Sequence, residues 1–335
     1  MGALTSSLVR WTATGLHAAR LSTPLSIAAG YARATRTFPI LSYHRVNDRA
    51  DPFFPALSTE VFERQMAFVA RAYVVLSVEE LAERMRRGAL PRNALAITFD
   101  DGYRDNLTHA APILARYGLA ATVFLVTGAI ASGEPIWFDR LALAFKGTRV
   151  GLWSSVWGEA IAVESESERL AALRESLRRF KRLANDDRRR AVDHTLETLG
   201  VEDERPVRGL MMTWDEVHAL EGLGVTIGAH TVSHPILAQL ETEEARAEIV
   251  ESGRMIAAAC GRPPRAFAYP NGRHEDYGPR VATLVREAGF TCAVTTTFGV
   301  NSLMTSPYEL RRGGPWELHL PTFALKLAGY RLSEA

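Results

Sequence analysis

The stretch ITFDDGYRDN at residues 97–106 joins an apolar, strand-like run to two adjacent carboxylates, Asp100 and Asp101. Two neighbouring negative charges at the end of a buried strand repel each other and are costly to remove from water. In parallel α/β folds, functional side chains gather where strands end and loops begin. The position of the two acids therefore predicts a functional site at the carboxyl end of this strand.

Apolar strands and helices alternate along most of the chain. Runs typical of buried strands occupy 38–43, 94–99, 121–126, 224–229, 265–269 and 291–295. Helical patterns occupy 58–72, 77–87, 104–117, 213–222, 241–260 and 279–288. Two of these helices have a serine in the N-cap position, Ser58 and Ser77. This alternation predicts an α/β fold with a parallel sheet, either open or closed as a barrel.

The bulk composition is that of an ordinary globular protein. The 335 residues are 47% apolar and 23% charged, and the net charge of +1 argues against a nucleic-acid partner. The cysteines, Cys260 and Cys292, form no CxxC pattern. Neither a disulfide scaffold nor a thiolate metal site is therefore indicated.

Residues 139–210 interrupt the alternation of strands and helices. Their charged core, within 164–197, interleaves acids with arginines, which is typical of solvated helices and makes RNA binding a weak interpretation. We therefore predict one catalytic domain over 37–335 that carries a helical insertion at about 139–210.

The N-terminal extension, residues 1–36, is basic. Residues 1–47 contain five arginines and no acid, and 4–20 has the apolar spacing of an amphipathic helix. Such a helix either lies on an anionic membrane surface or packs across the end of the domain. Because polar residues interrupt any signal-peptide core, we expect a cytoplasmic location, at the membrane surface.

Two histidines follow another predicted strand and favour a metal site. His230 ends strand 224–229 and begins HTVSH, so that His234 follows four residues later. One aspartate and two histidines form a three-ligand set with an open coordination position, as in catalytic metal sites. One carboxylate of the DD pair would then bind the metal while its neighbour acts as a base. A plain turn at DDG and a glycosidase carboxylate pair are the alternatives, and the latter fits poorly because adjacent side chains diverge.

Three motifs carry a resemblance to a known family. TFDDG at 98–102, HTVSH at 230–234 and FAYPNG at 267–272 resemble the first three motifs of the polysaccharide deacetylases, the NodB-homology group or carbohydrate esterase family 4. The resemblance implies a distorted, incomplete (β/α) barrel and a divalent metal, most commonly Zn²⁺. It also implies hydrolysis of acetyl groups from sugars, most often from N-acetylhexosamine units of a polymer.

The resemblance also implies residue roles. Asp100 would be the general base, and Asp101, His230 and His234 would bind the metal. The general acid would be a histidine, for which His44 is favoured over His319.

One departure concerns the base. Many relatives orient it with a third-motif arginine, but Ala268 stands there in this chain, which leaves the orienting partner open. Arg311 and Arg312, near the last strand, are candidates for contact with an anionic substrate.

The remaining site predictions concern the substrate. The third motif supplies Tyr269, Pro270 and Asn271, while Trp137 and Tyr103 are further candidates for the cleft wall. The sequence thus predicts a metal-dependent enzyme that removes N-acetyl groups from a carbohydrate. The alternatives are an O-acetyl esterase, another amide hydrolase using the same site, and a non-catalytic glycan-binding relative.

Overall fold

The computed structural model describes residues 37–200, 209–314 and 317–329. The predicted N-terminal helix and the whole extension 1–36 lie outside the described residues. Within the described part of the chain, no helix is both long enough and apolar enough to cross a membrane.

A parallel sheet of seven strands forms the centre of the described domain. Its strands lie in the order β1-β3-β4-β7-β8-β9, and β2 pairs with the first half of β3. The strands of the molecule are β1 (Ile40–Tyr43), β2 (Val74–Leu76), β3 (Ala94–Phe99), β4 (Ala121–Leu125), β5 (Leu152–Ser154), β6 (Ala160–Ala162), β7 (Val225–Ala229), β8 (Ala266–Ala268) and β9 (Cys292–Val294). The six predicted strands are confirmed as β1, β3, β4, β7, β8 and β9. The short β2 has no alternating pattern of its own and was not predicted.

Helices cover the outside of this sheet. They are α1 (Thr59–Ala72), α2 (Val78–Arg86), α3 (Ala111–Arg116), α4 (Thr127–Ser132), α5 (Trp137–Gly147), α6 (Glu166–Phe180), α7 (Asn185–Thr198), α8 (Trp214–Gly222), α9 (Thr242–Cys260), α10 (His274–Glu287) and α11 (Leu320–Gly329). A π-helical turn (Asn106–Ala110) precedes α3, and a 3₁₀ turn (Leu237–Gln239) precedes α9. The predicted caps are confirmed, since Ser58 and Ser77 accept hydrogen bonds from the first turns of α1 and α2.

The sheet curls, and an irregular segment bridges its two edge strands. Leu310 pairs with Val294 of β9, and Gly313 pairs with Leu41 of β1, both in parallel register. Backbone hydrogen bonds from Gly313 N to Ile40 O (2.8 Å) and from Thr295 N to Leu310 O (2.8 Å) hold this closing segment, residues 310–313. The architecture is the predicted α/β fold with an incomplete (β/α) barrel.

The charged region forms a small helical unit beside the barrel. It contains α5, an antiparallel hairpin of β5 and β6, α6 and α7. Apolar side chains between these elements form a separate core that includes Phe145, Trp153 and Phe180. The acids and arginines of α6 and α7 lie mainly on the outer face, as the interleaved charges predict.

Candidate active site

The two aspartates leave the end of β3 in different directions. All six residues of β3 are buried, and Asp100 continues the sheet by donating its backbone N–H to Tyr43 O (3.1 Å). Asp101 then adopts a left-handed conformation with a φ of 76°. Such a conformation is strained for a residue with a β-carbon and is found at functional sites. It turns the chain so that the two buried carboxylates face different partners.

Arg312 of the closing segment is the partner of Asp100. Its Nη1 and Nη2 each donate to a different carboxylate oxygen at 2.7 Å, and its Nε donates to Thr295 O at 2.7 Å. Burial opposes ionisation of Asp100, but the charge of Arg312 and its hydrogen bonds outweigh this effect and hold the pKa of the carboxyl well below its usual range. Arg312 therefore orients the candidate base, in place of the third-motif arginine. Its predicted contact with an anionic substrate is wrong, because its guanidinium is buried against Asp100.

His44 lies on the open side of the same carboxylate. Its Nε2 is 3.9 Å from Asp100 Oδ2, and its side chain is 40% exposed. The Asn106 side chain fixes the backbone here by donating to His44 O (2.8 Å). The rival candidate, His319, lies at the start of α11, with its Nδ1 2.9 Å from Thr322 Oγ1. The structure thus brings His44 to the base, as expected for a residue at the end of the neighbouring strand β1.

Asp101, His230 and His234 form a buried cluster with ligand atoms within 4.8 Å of one another. The Nε2 atoms of both histidines are 3.6 Å from Asp101 Oδ1. His230 Nδ1 lies 2.7 Å from Ala268 O, a contact that places the proton on Nδ1 and turns the Nε2 lone pair towards the cluster. The third-motif position that lacks an arginine thus contributes its backbone carbonyl instead.

The electrostatics of the cluster fit a cation. Asp101 Oδ1 is buried and accepts no hydrogen bond from any described residue, which is costly for a carboxylate unless a cation binds it. Burial raises the pKa of Asp101 to about 7, and Asp100 adds to this effect while His44 opposes it. Burial lowers the pKa of His230 to about 4 and that of His234 well below its usual value, so both imidazoles are neutral and able to ligate.

The HTVSH loop that carries both histidines is braced from two elements. Thr231 and His234 have positive φ angles of 67° and 58°. The Glu248 carboxylate of α9 accepts hydrogen bonds from the backbone N–H of Val232 (2.8 Å) and from that of Ser233 (2.9 Å). On the other side, a β-carbon on Gly128 would lie 2.7 Å from Val232 O, so only glycine allows this close approach. The ligand geometry is therefore imposed by surrounding structure rather than by the loop alone.

Comparison with known proteins identifies the family. A model of the polysaccharide deacetylase family matches residues 87–293, which is more than half of the chain. The chain belongs to the polysaccharide deacetylase family. The resemblance inferred from the three motifs is therefore confirmed.

Two curated relatives of this polysaccharide deacetylase match over short regions. The protein YxkH of Bacillus subtilis (strain 168) is 33% identical over 90 residues, which cover 26% of this chain and 31% of that protein. The poly-beta-1,6-N-acetyl-D-glucosamine N-deacetylase of Escherichia coli (strain K12) is 35% identical over 83 residues, which cover 24% of this chain and 12% of that protein. The matched regions thus span less than a third of the length of either relative.

Solved structures share the fold. The Streptococcus pyogenes deacetylase PplD, in complex with acetate, superposes with a TM-score of 0.59 at 19% identity, covering 88% of this chain and 99% of that chain. IcaB from Ammonifex degensii superposes with a TM-score of 0.56 at 17% identity, covering 86% and 97% of the two chains. At these identities, the likeness establishes the fold of this polysaccharide deacetylase.

Two of the predicted substrate residues are core residues. Tyr269 is 0% exposed, stacks on Tyr277 with ring centroids 4.1 Å apart, and donates its hydroxyl to Tyr308 O. Tyr103 is 3% exposed, and its hydroxyl donates to the Asp139 carboxylate at 3.0 Å. Both side chains therefore hold the walls of the site in place. This corrects the expectation that they line the substrate cleft.

The other three predicted substrate residues lie at the edge of the site. Trp137 is half-buried, and its Nε1 donates to His234 O (3.3 Å). Pro270 is buried, whereas Asn271 is half-buried and has a positive φ of 58°. The Asn271 side-chain nitrogen has no hydrogen-bond partner among the described residues. Contact of these three residues with a substrate stays a prediction.

Sequence reasoning missed the roles of the two residues that support the candidate base and the HTVSH loop. Arg312 is 212 positions from Asp100, in a segment without a strand pattern, and Glu248 is one of many acids on α9. One signal in the sequence indicated the role of Arg312. Ala268 stands where many relatives have an arginine that orients the base, so another residue had to supply that contact. Nothing in the sequence distinguished Glu248 from its neighbours.

Proposed function

We propose that this polysaccharide deacetylase is a divalent-metal-dependent hydrolase that removes N-acetyl groups from amino-sugar units of a glycan. The observation that carries the proposal is the pairing of two adjacent buried carboxylates with opposite surroundings. Asp100 is kept ionised by Arg312, and Asp101 faces two neutral histidines with an oxygen that accepts no described hydrogen bond. The relative from Escherichia coli, a poly-beta-1,6-N-acetyl-D-glucosamine N-deacetylase, supports the choice of an N-acetylglucosamine substrate.

The metal would be held by Asp101, His230 and His234, and Zn²⁺ suits two imidazoles and one carboxylate. When bound, it supplies Lewis acidity towards the acetyl carbonyl and favours ionisation of the attacking water. Three protein ligands would leave a fourth coordination position for solvent or substrate, which is the general pattern of catalytic zinc sites.

Asp100 would accept the proton of the attacking water. Its bidentate contact with Arg312 fixes the plane of the carboxylate and keeps it ionised at neutral pH. His44, 3.9 Å from Asp100 Oδ2 and partly exposed, would donate a proton to the departing amine. Because the two side chains are adjacent, the proton that Asp100 gains from water would pass to His44 and restore both groups for the next turnover.

An acetate-release assay tests the proposed reaction. Purified protein is incubated with N-acetylglucosamine oligomers and with O-acetylated glycans, after chelation and after addition of zinc. We expect zinc-dependent release from the N-acetylated substrates. Release from O-acetylated substrates alone would favour the esterase, and release that is equal in the Asp100→Asn variant would contradict the mechanism.

The assignment of the general acid has a matched test in the same assay. Replacing His44 by alanine should lower kcat about 100-fold, because general acid catalysis contributes at least that much. Replacing His319 by alanine should leave kcat close to the wild-type value, because this histidine contacts Thr322 rather than the base. The opposite pattern would transfer the role to His319.

The cellular location is part of the proposal. We propose a cytoplasmic protein that contacts the membrane surface through residues 1–36, supported by the arginines and the lack of acids in that segment. Fractionation of cells that express the chain with and without residues 1–36 tests this. An unchanged distribution would contradict the proposal.

A further inference from the structure

Two aromatic side chains at the start of α5 contact the candidate ligand His234. Trp137 Nε1 donates to His234 O (3.3 Å), and the Phe138 ring lies edge-on to the imidazole with centroids 5.2 Å apart. A histidine that binds a metal usually has a hydrogen-bond partner on its other ring nitrogen. His234 Nδ1 is buried and has no such partner among the described residues, whereas His230 has Ala268 O. The orientation of His234 therefore depends on its own loop and on these aromatic contacts.

Arg188 of α7 holds these contacts from the side of the helical insertion. Its guanidinium lies over the Trp137 ring, 5.5 Å from the centroid. Arg188 is 3% exposed, so this cation–π contact is desolvated and correspondingly strong. Its Nη1 also donates to Gln239 Oε1 (3.3 Å), at the end of the 3₁₀ turn that follows the HTVSH loop. Arg188 thus contacts both the ring that bonds to His234 and the turn that follows this histidine.

No counter-ion accompanies this buried cation. Among the described residues, Arg188 has no carboxylate oxygen within 4.0 Å, and its Nη2 donates to the side-chain oxygen of Asn185 in the same helix. A buried charge with only neutral partners costs free energy, which an apolar side chain of similar size would avoid. Fold stability therefore does not explain the guanidinium. What it provides is a fixed contact with Trp137 and Gln239, which connect the insertion to the HTVSH loop.

We propose that Arg188 is a positioning residue for the metal, and that the helical insertion thereby sets the affinity of the site for a divalent cation. Arg188 restrains the Trp137 ring, and Trp137 restrains His234 in the orientation that ligation requires. Without the guanidinium, His234 would have to be ordered when the metal binds, which lowers the affinity. The inference rests on the proposed metal dependence and assigns the insertion a part in it.

Zinc titrations test this coupling without reference to catalysis. Competition with a chromophoric chelator gives the zinc affinity of the wild type, Arg188→Met, Trp137→Phe and the double variant. Each single substitution should weaken zinc binding about tenfold, as changes to residues behind metal ligands do. The double variant should lose little more than either single variant, because both substitutions break one path to His234. Losses that simply multiply would show independent effects and would overturn the proposal.

Two further variants separate positioning from a structural role. Arg188→Lys keeps a cation over the ring without the guanidinium fork and should restore part of the lost affinity. Arg189→Met removes an exposed guanidinium from the next position of α7 and should leave zinc affinity unchanged. Urea unfolding of the zinc-free proteins measures stability separately. Lower stability of Arg188→Met with the zinc affinity of the wild type would make Arg188 a structural residue only and would overturn the proposal.

Hydrogen exchange gives a second readout. Because coupling between two regions is reciprocal, zinc should slow amide exchange around Arg188 in the wild type and should do so less in Trp137→Phe. This comparison stays decisive if Arg188→Met fails to fold, and equal protection in both proteins would contradict the path through Trp137. A wild type that binds no zinc would overturn the proposed metal dependence together with this inference. Zinc binding that is the same in the wild type and the variants would overturn this inference alone.

Discussion

The neighbouring aspartates Asp100 and Asp101 have opposite electrostatic surroundings. On the base side, Asp100 receives two hydrogen bonds from Arg312, and its pKa lies well below the usual range. On the ligand side, Asp101 has an oxygen without a described donor, and burial raises its pKa to about 7. Two identical side chains in adjacent positions are thus given different chemistry by their surroundings alone.

Neutralising each aspartate separately should separate the two roles. Asp100→Asn should lower kcat about 10²–10⁴-fold, because it removes the base, while the zinc content stays near that of the wild type. Asp101→Asn should lose the zinc as well as the activity. Metal analysis together with acetate release checks both variants. Zinc loss in Asp100→Asn would show that the two carboxylates share the ligand role.

Removing the partner of the base should destabilise the fold. Arg312→Met leaves the Asp100 carboxylate buried without its cation and should lower the free energy of unfolding by about 3–5 kcal/mol. The double variant Arg312→Met with Asp100→Asn removes both charges and should recover much of this loss. Urea unfolding of the wild type, the single variants Arg312→Met and Asp100→Asn, and the double variant gives the coupling free energy between the two side chains.

The pH dependence of the same pair has a defined sign. Because the folded pKa of Asp100 is depressed, the pair stabilises the protein above the unfolded pKa of about 4, and this contribution is lost as pH falls through the folded pKa. Urea unfolding of the wild type and of Arg312→Met as a function of pH measures this contribution. Equal free energies of unfolding at neutral pH would contradict the role of Arg312 as the partner of Asp100.

Without the proposed metal, the stability contribution of Asp101 should have the opposite pH dependence. With a raised folded pKa, Asp101 contributes stability to the cation-free protein below about pH 4, and this contribution is lost as pH rises through about 7. Zinc at a hundred times its Kd should then add about 2.7 kcal/mol at neutral pH. Thermal unfolding at pH 5 and 8, with chelator and with zinc, measures both effects. The Asp101→Asn protein should show neither, and a similar response from it would assign the effects to other groups.

Weakening the hydrogen bonds between Glu248 and the HTVSH loop should have the smallest effect of these changes. Glu248→Gln weakens the hydrogen bonds to Val232 and Ser233 and should reduce zinc affinity about tenfold, with kcat at saturating zinc little changed. Glu251→Gln is the matched control on the same helix, since Glu251 pairs only with the exposed Arg254 among the described residues. Equal zinc affinities in the two variants would show that the loop holds its geometry without Glu248.

The parts of the molecule that local patterns determine were predictable. Buried strands, serine caps and the DDG and HTVSH motifs are local patterns, and because both motifs follow strands of one parallel sheet, the structure brings Asp101, His230 and His234 into one cluster. The rest depends on distant contacts. Arg312 reaches Asp100 through the curl of the sheet, and Tyr269 stacks on Tyr277 of a later helix.

The closing segment has a consequence for how the enzyme matures on the ribosome. The three candidate metal ligands and the candidate base all precede residue 235, whereas Arg312 is synthesised after them. Until the closing segment emerges and bridges β9 to β1, the Asp100 carboxylate has no guanidinium to offset its burial. A nascent or truncated chain would therefore carry an assembled metal loop beside an uncompensated charge. The proposed base would in this way acquire its cationic partner only on completion of the barrel.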